Sequence, residues 1–145
     1  MPGADGVPLR GAQVLSHDPS GFTEGGNVPH LVLEYSANVT QEVDWSGLFS
    51  RLHRAVADAG APLGGCKSRA VRHEAYHVAD GQASGAFVHL TLGLLAGRTD
   101  EVKAALTGRC LQLLAEEYRP SQESLELQIS VELRDLHRES YQKVP

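Results

Sequence analysis

Three cationic residues occupy positions in the sequence where a small anion could bind. Lys67 and Arg69 alternate along a predicted β-strand, which places both on one face of that strand. Arg98 immediately precedes Thr99, the predicted start of a helix, and helix N-termini favour anions. A covered lysine or arginine needs counter-charge, which a carboxylate ligand can supply. These residues predict a site for a small molecule that carries carboxylates.

Pro29 opens the strand pattern Pro29 to Tyr35, and its chemistry depends on whether it is the first residue of the working protein. An N-terminal proline is a secondary amine, and nearby cations and desolvation would lower its pKa below the value of about 8 that is usual for an α-amine. An amine whose pKa lies near the working pH is an effective general base. An internal proline has an amide nitrogen, which is not basic. His30, the next residue, is a further substrate-binding candidate.

The segment His73-Glu74-Ala75-Tyr76-His77 matches H-E-x-x-H, in which one helix presents two histidines to zinc. Here the motif falls at the end of a predicted strand, where residues four positions apart are separated by about 13 Å. Ligands that lie about 2.1 Å from one zinc ion cannot be so far apart. We therefore predict no metal site and interpret the motif as a polar strand end. Cys66 and Cys110 are interpreted as small buried side chains in a reducing compartment.

Hydrophobic periodicity predicts two consecutive strand–helix–strand units. In chain order the predicted elements are strand 29–35, a helix capped by Asp44 and running to about 59, strands 66–76 and 87–95, a helix over 100–118 that Pro120 ends, and strand 125–133. Each unit is expected to be a right-handed βαβ with parallel strands. Joined edge to edge, they form an α+β fold, a four-stranded mixed sheet with both helices on one face. An oligomer is expected to bury the other face.

Composition excludes several classes of function. The chain of 145 residues has 41% hydrophobic and 21% charged residues, which is typical of one soluble globular domain. Its net charge of −5 argues against nucleic acid as the main partner. No apolar run approaches the ~18 residues of a membrane span, and no secretion signal is visible.

Five short segments, in order over about residues 29–135, resemble the 5-carboxymethyl-2-hydroxymuconate delta-isomerase family, which consists of long-chain members of the tautomerase superfamily. The segments are Pro29-His30-Leu31-Val32-Leu33-Glu34-Tyr35-Ser36, Lys67-Ser68-Arg69, Ala79-Asp80-Gly81, Ala86-Phe87-Val88-His89-Leu90-Thr91-Leu92 and Ala96-Gly97-Arg98. The resemblance implies a homotrimer without metal or organic cofactor. It also implies a role in the cytoplasm, in the degradation of aromatic acids such as homoprotocatechuate.

The resemblance also implies roles for individual residues. Pro29 would carry a proton from the dienol oxygen to a chain carbon. Lys67, Arg69 and Arg98 would hold carboxylates and polarise the 2-oxo group, with Lys67 and Arg98 as the more direct contacts. The position of Lys67 is commonly arginine in the family, and lysine cannot make a planar bidentate contact. This departure puts the role of Lys67 and the substrate preference in question.

The resemblance divides the chain into three parts. Residues 29–135 form the expected isomerase domain, and residues 136–145 form a C-terminal tail that matches the family poorly. The composition of residues 1–28 predicts either a disordered extension or a start codon assigned too early, in which case these residues are not translated. In the second case Val28 would be encoded by GTG, read as a methionine start codon, and removal of that methionine would expose Pro29.

Three other functions stay open at this stage. A related tautomerase or decarboxylase could use the same base and cations on another oxo-acid. A non-catalytic trimer of the same fold could bind an anionic ligand, with Pro29 blocked by the extension. A generic βαβ regulatory domain would not require Pro29 together with Lys67, Arg69 and Arg98.

Overall fold

A computed structural model describes residues 28–144, so the predicted N-terminal extension lies almost entirely outside the described residues. The regular elements are β1 (His30–Ser36), α1 (Trp45–Asp58), β2 (Lys67–His73), β3 (Gly85–Leu95), α2 (Asp100–Glu117), α3 (Arg119–Ser124) and β4 (Glu126–Leu136). Single 3₁₀ turns precede β2 and follow β4, at Leu63–Gly65 and Arg138–Ser140.

The four strands form one sheet in the order β2-β1-β3-β4. β1 is parallel to β2 and β3 is parallel to β4, whereas the central strands β1 and β3 are antiparallel. Each parallel pair is connected through a helix, as a βαβ unit requires. The predicted α+β architecture, two βαβ units in a four-stranded mixed sheet, is confirmed.

Both long helices pack on the same face of the sheet. Leu31 and Leu33 of β1 alternate inward and are fully buried, and β3 contributes Leu90 and Leu92. α1 and α2 cover them with Leu48, Leu52, Val56, Leu106, Cys110 and Leu114. Because strand side chains alternate between faces, this packing leaves His30, Val32 and Glu34 on the other face.

The predicted helix starts are confirmed by their caps. The Asp44 carboxylate accepts a hydrogen bond from Gly47 N at 3.1 Å, and the Thr99 hydroxyl accepts one from Val102 N at 3.2 Å. Such side chains satisfy N–H groups that have no partner within the helix.

The structure corrects three predicted boundaries. β2 ends at His73, three residues before the predicted end, and β4 continues to Leu136 because Ala96 N donates to Leu136 O at 3.0 Å. Pro120 does not end α2, which stops at Glu117. It lies in the first turn of the additional helix α3, where the missing N–H of proline is tolerated.

No helix among residues 28–144 is both long enough and apolar enough to cross a membrane.

Candidate active site

The topology brings the predicted site residues to one end of the sheet. β1 and β2 begin there, since Lys67 N donates to Pro29 O at 3.1 Å. β3 and β4 end there, because β3 is antiparallel to β1 and pairs Gly93 with His30. Arg98 follows β3 by three residues. We call this region the cationic end, defined by Pro29, His30, Lys67, Arg69 and Arg98.

Pro29 lies at the buried start of β1. In the printed sequence its nitrogen is joined to Val28, which is only 3% exposed, and its carbonyl group begins the β1–β2 ladder. Proline has no N–H to offer to a ladder, so the first position of a strand suits it. While joined to Val28, the nitrogen is an amide and cannot act as a base.

Lys67 begins β2 beside His30, its register partner on β1. Its Nζ donates to Gly65 O at 2.6 Å. Partial burial lowers the pKa of Lys67, and Lys143 and Arg69 add to this effect against an opposing contribution from Cys66. Lys67 is thus a cation held in a positive environment, which favours the approach of an anion.

Arg98 is the most deeply buried of the predicted cations, with 8% of its surface exposed. Gly97, immediately before it, has a φ of 129°, a conformation that residues with a Cβ rarely adopt, and this turn directs the chain back toward Leu95. Arg98 Nη1 donates to Leu95 O. Burial lowers the pKa of Arg98 to about 10 together with the nearby Arg138, against the opposing effect of Asp135, so the guanidinium stays charged at neutral pH.

His30 connects Arg69 to the C-terminal segment. Arg69 Nη1 lies 3.3 Å from His30 Nδ1, and His30 Nε2 lies 3.0 Å from Tyr141 Oη. Arginine can only donate, so Nδ1 must accept and Nε2 must carry the ring proton. Burial lowers the pKa of His30, and Lys67 and Arg69 lower it further, which favours this neutral ring. Both ring nitrogens of His30 therefore contact side chains of the protein, those of Arg69 and Tyr141.

The sequence analysis missed the contribution of residues after β4. Arg138 Nε donates to Ala96 O at 3.0 Å, and Tyr141 reaches His30 as described above. One signal could have found them: β3 and β4 were predicted to be parallel, so the residues after β4 must arrive at the same end of the sheet as Arg98.

The H-E-x-x-H segment does not have the geometry of a zinc protease. His73 is the last residue of β2 and pairs with Glu34 at 2.9 Å, while His77 lies in the loop that follows. Only His73 lies at the strand end as predicted, and the rest of the motif belongs to the loop. Within residues 28–144, no group of three or more His, Cys, Asp or Glu side chains is arranged to hold a metal ion.

The two cysteines also lie where packing explains them. Cys110 is fully buried between α2 and the sheet, and burial raises the pKa of its thiol to about 11. Cys66 is half-buried before β2, and burial raises the pKa of its thiol as well. A thiol whose pKa is raised is a poor nucleophile, so neither residue has the chemistry of a catalytic cysteine.

Two βαβ units joined in one four-stranded mixed sheet define the tautomerase class of fold. The chain belongs to the 5-carboxymethyl-2-hydroxymuconate isomerase family, whose model matches residues 29–144. This membership confirms the resemblance seen in the sequence and the prediction that the protein is an isomerase. The matched range includes residues 136–144, which the sequence analysis set apart as a tail.

Individual relatives agree with this membership. The chain is 34% identical over 111 residues to the 5-carboxymethyl-2-hydroxymuconate Delta-isomerase of Escherichia coli, covering 76% of this chain and 88% of that protein. A crystal structure of a 5-carboxymethyl-2-hydroxymuconate isomerase from Deinococcus radiodurans R1 matches with a TM-score of 0.74 and 29% identity, over 83% of this chain and 91% of that one. A fused 4-OT described as a symmetric trimer shares the fold, with a TM-score of 0.59 and 24% identity over 74% and 85%.

Proposed function

We propose that this protein isomerises 5-carboxymethyl-2-hydroxymuconate, or a 2-hydroxydienoate of the same class, and that Pro29 is its general base. The observation that carries the proposal is that the family match begins at Pro29, which lies at the same end of the sheet as Lys67, Arg69 and Arg98. The reaction moves one proton from the dienol oxygen to a carbon of the chain. Its substrate and product have the same composition, so no oxidant, reductant or second substrate is needed.

The cationic end supplies the groups that this reaction requires. As a free amine, Pro29 would take the proton of the 2-hydroxyl group and return it to carbon. The developing negative charge on the 2-oxygen is stabilised by a preorganised cation, for which Arg98, on the β3 side of β1, is the candidate. The substrate name specifies three carboxylates, two on the muconate chain and one on the carboxymethyl group. Lys67, Arg69 and Arg98 provide the matching positive charge.

The proposal requires a working chain that begins at Pro29. A second function is favoured by the burial of Val28: if the residues before Pro29 remain attached, the proline nitrogen is an amide and the protein can bind an anion without catalysis. The free secondary amine is the one chemical feature that separates the two functions.

We infer a homotrimer in the cytoplasm. The face of the sheet opposite the helices carries His30, Val32 and Glu34 and is covered by neither α1 nor α2, so an oligomer is the natural way to cover it. The fused 4-OT with the same fold is described as a symmetric trimer. Both cysteines are free thiols, which fits a reducing compartment.

The first experiment determines where the working chain begins and what it does. The gene is expressed from its own promoter region, and the purified protein is examined by intact mass and N-terminal sequencing. Isomerisation is followed by the loss of dienol absorbance. We expect a chain that begins at Pro29 to be active, and Pro29→Ala in that chain to lower kcat by about 10²-fold to 10⁴-fold, the usual contribution of a general base.

The matched control is Pro120→Ala, a substitution at an exposed position in α3 at the other end of the molecule, which should leave kcat within about twofold. Full activity of Pro29→Ala would rule out Pro29 as the base. Equal activity of a chain that retains Val28 on Pro29 would do the same, because an amide nitrogen cannot take the proton.

A further inference from the structure

We propose that Tyr141, in the C-terminal segment defined by residues 138–144, is a specificity-determining residue whose hydroxyl group binds the carboxymethyl carboxylate of the substrate. The inference rests on the proposed function. Nothing in the sequence motifs of the site points to this residue, which follows the last strand.

The C-terminal segment is held across the cationic end at two points. After β4 ends at Leu136, the chain turns through Arg138–Ser140, and Arg138 Nε donates to Ala96 O at 3.0 Å. Tyr141 then reaches β1, where its hydroxyl lies 3.0 Å from His30 Nε2 and the two ring centroids are 6.1 Å apart. The segment therefore spans from the β3–α2 loop to the start of β1.

The direction of the hydrogen bonds leaves the Tyr141 hydroxyl able to donate. Arg69 donates to His30 Nδ1, so the ring proton is on Nε2 and is donated to Tyr141 Oη. The oxygen of Tyr141 accepts this bond, and its own proton can point to a further acceptor. A carboxylate is the strongest acceptor that the proposed substrate offers there.

The donors at the cationic end form two groups of unequal size. Arg98 and Arg138 lie around the carbonyl groups of residues 95 and 96. On the other side, Tyr141 joins Arg69 through His30, and Lys143 is close enough to Lys67 to help lower its pKa.

The substrate is unequal in the same way. One end carries the C1 carboxylate beside the reacting 2-hydroxyl group. The other end carries two carboxylates, the C6 carboxylate and that of the carboxymethyl group attached at C5. The larger donor group, with Lys67, Arg69, Tyr141 and Lys143, fits the end with two carboxylates. We therefore assign the Tyr141 hydroxyl to the carboxylate that distinguishes this substrate from plain 2-hydroxymuconate.

The test compares two substrates in two tyrosine variants. Tyr141→Phe keeps the ring against His30 and removes only the hydroxyl group. Tyr76→Phe is the matched control, since Tyr76 lies in the exposed loop after β2. Steady-state kinetics are measured with 5-carboxymethyl-2-hydroxymuconate and with 2-hydroxymuconate, and thermal melting checks folding.

We expect Tyr141→Phe to lower kcat/KM for the carboxymethyl substrate about 10-fold to 100-fold, mainly through KM, as the loss of one hydrogen bond to a charged group predicts. The change for 2-hydroxymuconate should stay within about twofold, and Tyr76→Phe should match the wild type on both. Equal losses on the two substrates, or no loss on either, would overturn the assignment.

A binding measurement separates failure of this inference from failure of the proposed function. Calorimetry compares 2-(carboxymethyl)hexanedioate with hexanedioate, which are saturated analogues that cannot react. If the wild type isomerises neither substrate, the proposed function fails. The inference still stands if the wild type prefers the carboxymethyl analogue and Tyr141→Phe removes that preference, and it is overturned if the wild type shows no preference.

Discussion

The two ends of the sheet differ in the charges that they bring together. At the end where β1 and β2 finish, which we call the paired end, the charged and polar groups satisfy one another: Glu34 with His73 at 2.9 Å, Arg72 with Glu74 at 3.0 Å, and Ser36 with the backbone of Phe87. At the cationic end, positive side chains lie near one another: Arg69 and Lys143 act on Lys67, and Arg138 acts on Arg98.

This difference makes the cationic end the one that is expected to attract an anionic ligand. A concentration of like charges makes the local potential positive, which attracts an anion, whereas a pair of opposite charges does not. The paired end also has a cleft, of about 410 Å³ and lined in part by Tyr35, Trp45 and Arg72, yet its arginine already has a carboxylate partner. A cleft alone is therefore a poorer guide to the site than a concentration of positive charge.

The largest effect should come from removing one arginine at each end. Arg98→Met should lower kcat/KM by about 10²-fold, because the proposed substrate loses a buried charged donor. Arg72→Met, at a side chain that is 56% exposed, should change kcat/KM by less than about twofold, since exposed ion pairs contribute little. Steady-state kinetics on both variants provide the comparison. Similar losses at the two ends would contradict the contrast between them.

A smaller effect should show that the paired end serves stability. Ser36 is fully buried, and its hydroxyl accepts a hydrogen bond from Phe87 N at 2.9 Å. Ser36→Ala leaves that N–H without its partner and should lower the free energy of unfolding by about 1–2 kcal/mol. Urea denaturation measures this change, with the exposed Ser50→Ala on α1 as control. Activity per folded molecule should stay within about twofold, and a selective loss of activity would place function at this end too.

The smallest effect concerns pH and the His30 contacts at the cationic end. Burial, Lys67 and Arg69 lower the pKa of His30 below the unfolded value of about 6.5, so the folded state binds fewer protons. The stability from the neutral ring is present above that value and is lost as pH falls through the folded pKa. The melting temperature should therefore fall less steeply from pH 7.5 to pH 5 in His30→Asn, whose amide oxygen can still accept from Arg69, than in the wild type.

His53 serves as the internal reference for this measurement. Burial lowers the pKa of His53 as well, and it is present in both proteins, so the difference between their slopes belongs to His30. A steeper slope in His30→Asn would mean that the folded protein favours the charged ring, contrary to the hydrogen-bond directions inferred above.

Local sequence patterns predicted the regular elements because those patterns report burial and capping directly. Alternation placed β1 and β4, and Asp44 and Thr99 marked the starts of α1 and α2. The boundaries that failed were set by contacts distant in sequence or by a tolerated exception. β4 is longer because it pairs with β3 to its end, and Pro120 lies in the first turn of a short helix because its missing N–H is tolerated there.

The sequence by itself determined the order of the elements and the candidate groups: residue types and their order specified the two βαβ units, the proline at the start of β1 and the cations at Lys67, Arg69 and Arg98. Only the tertiary structure decided which of these groups meet and what holds them. The link from Arg69 through His30 to Tyr141 joins residues 39 and 111 positions apart, and no local pattern encodes such a separation. These contacts exist because strand direction brings four chain segments to one end of the sheet, where a short segment after β4 can cross them.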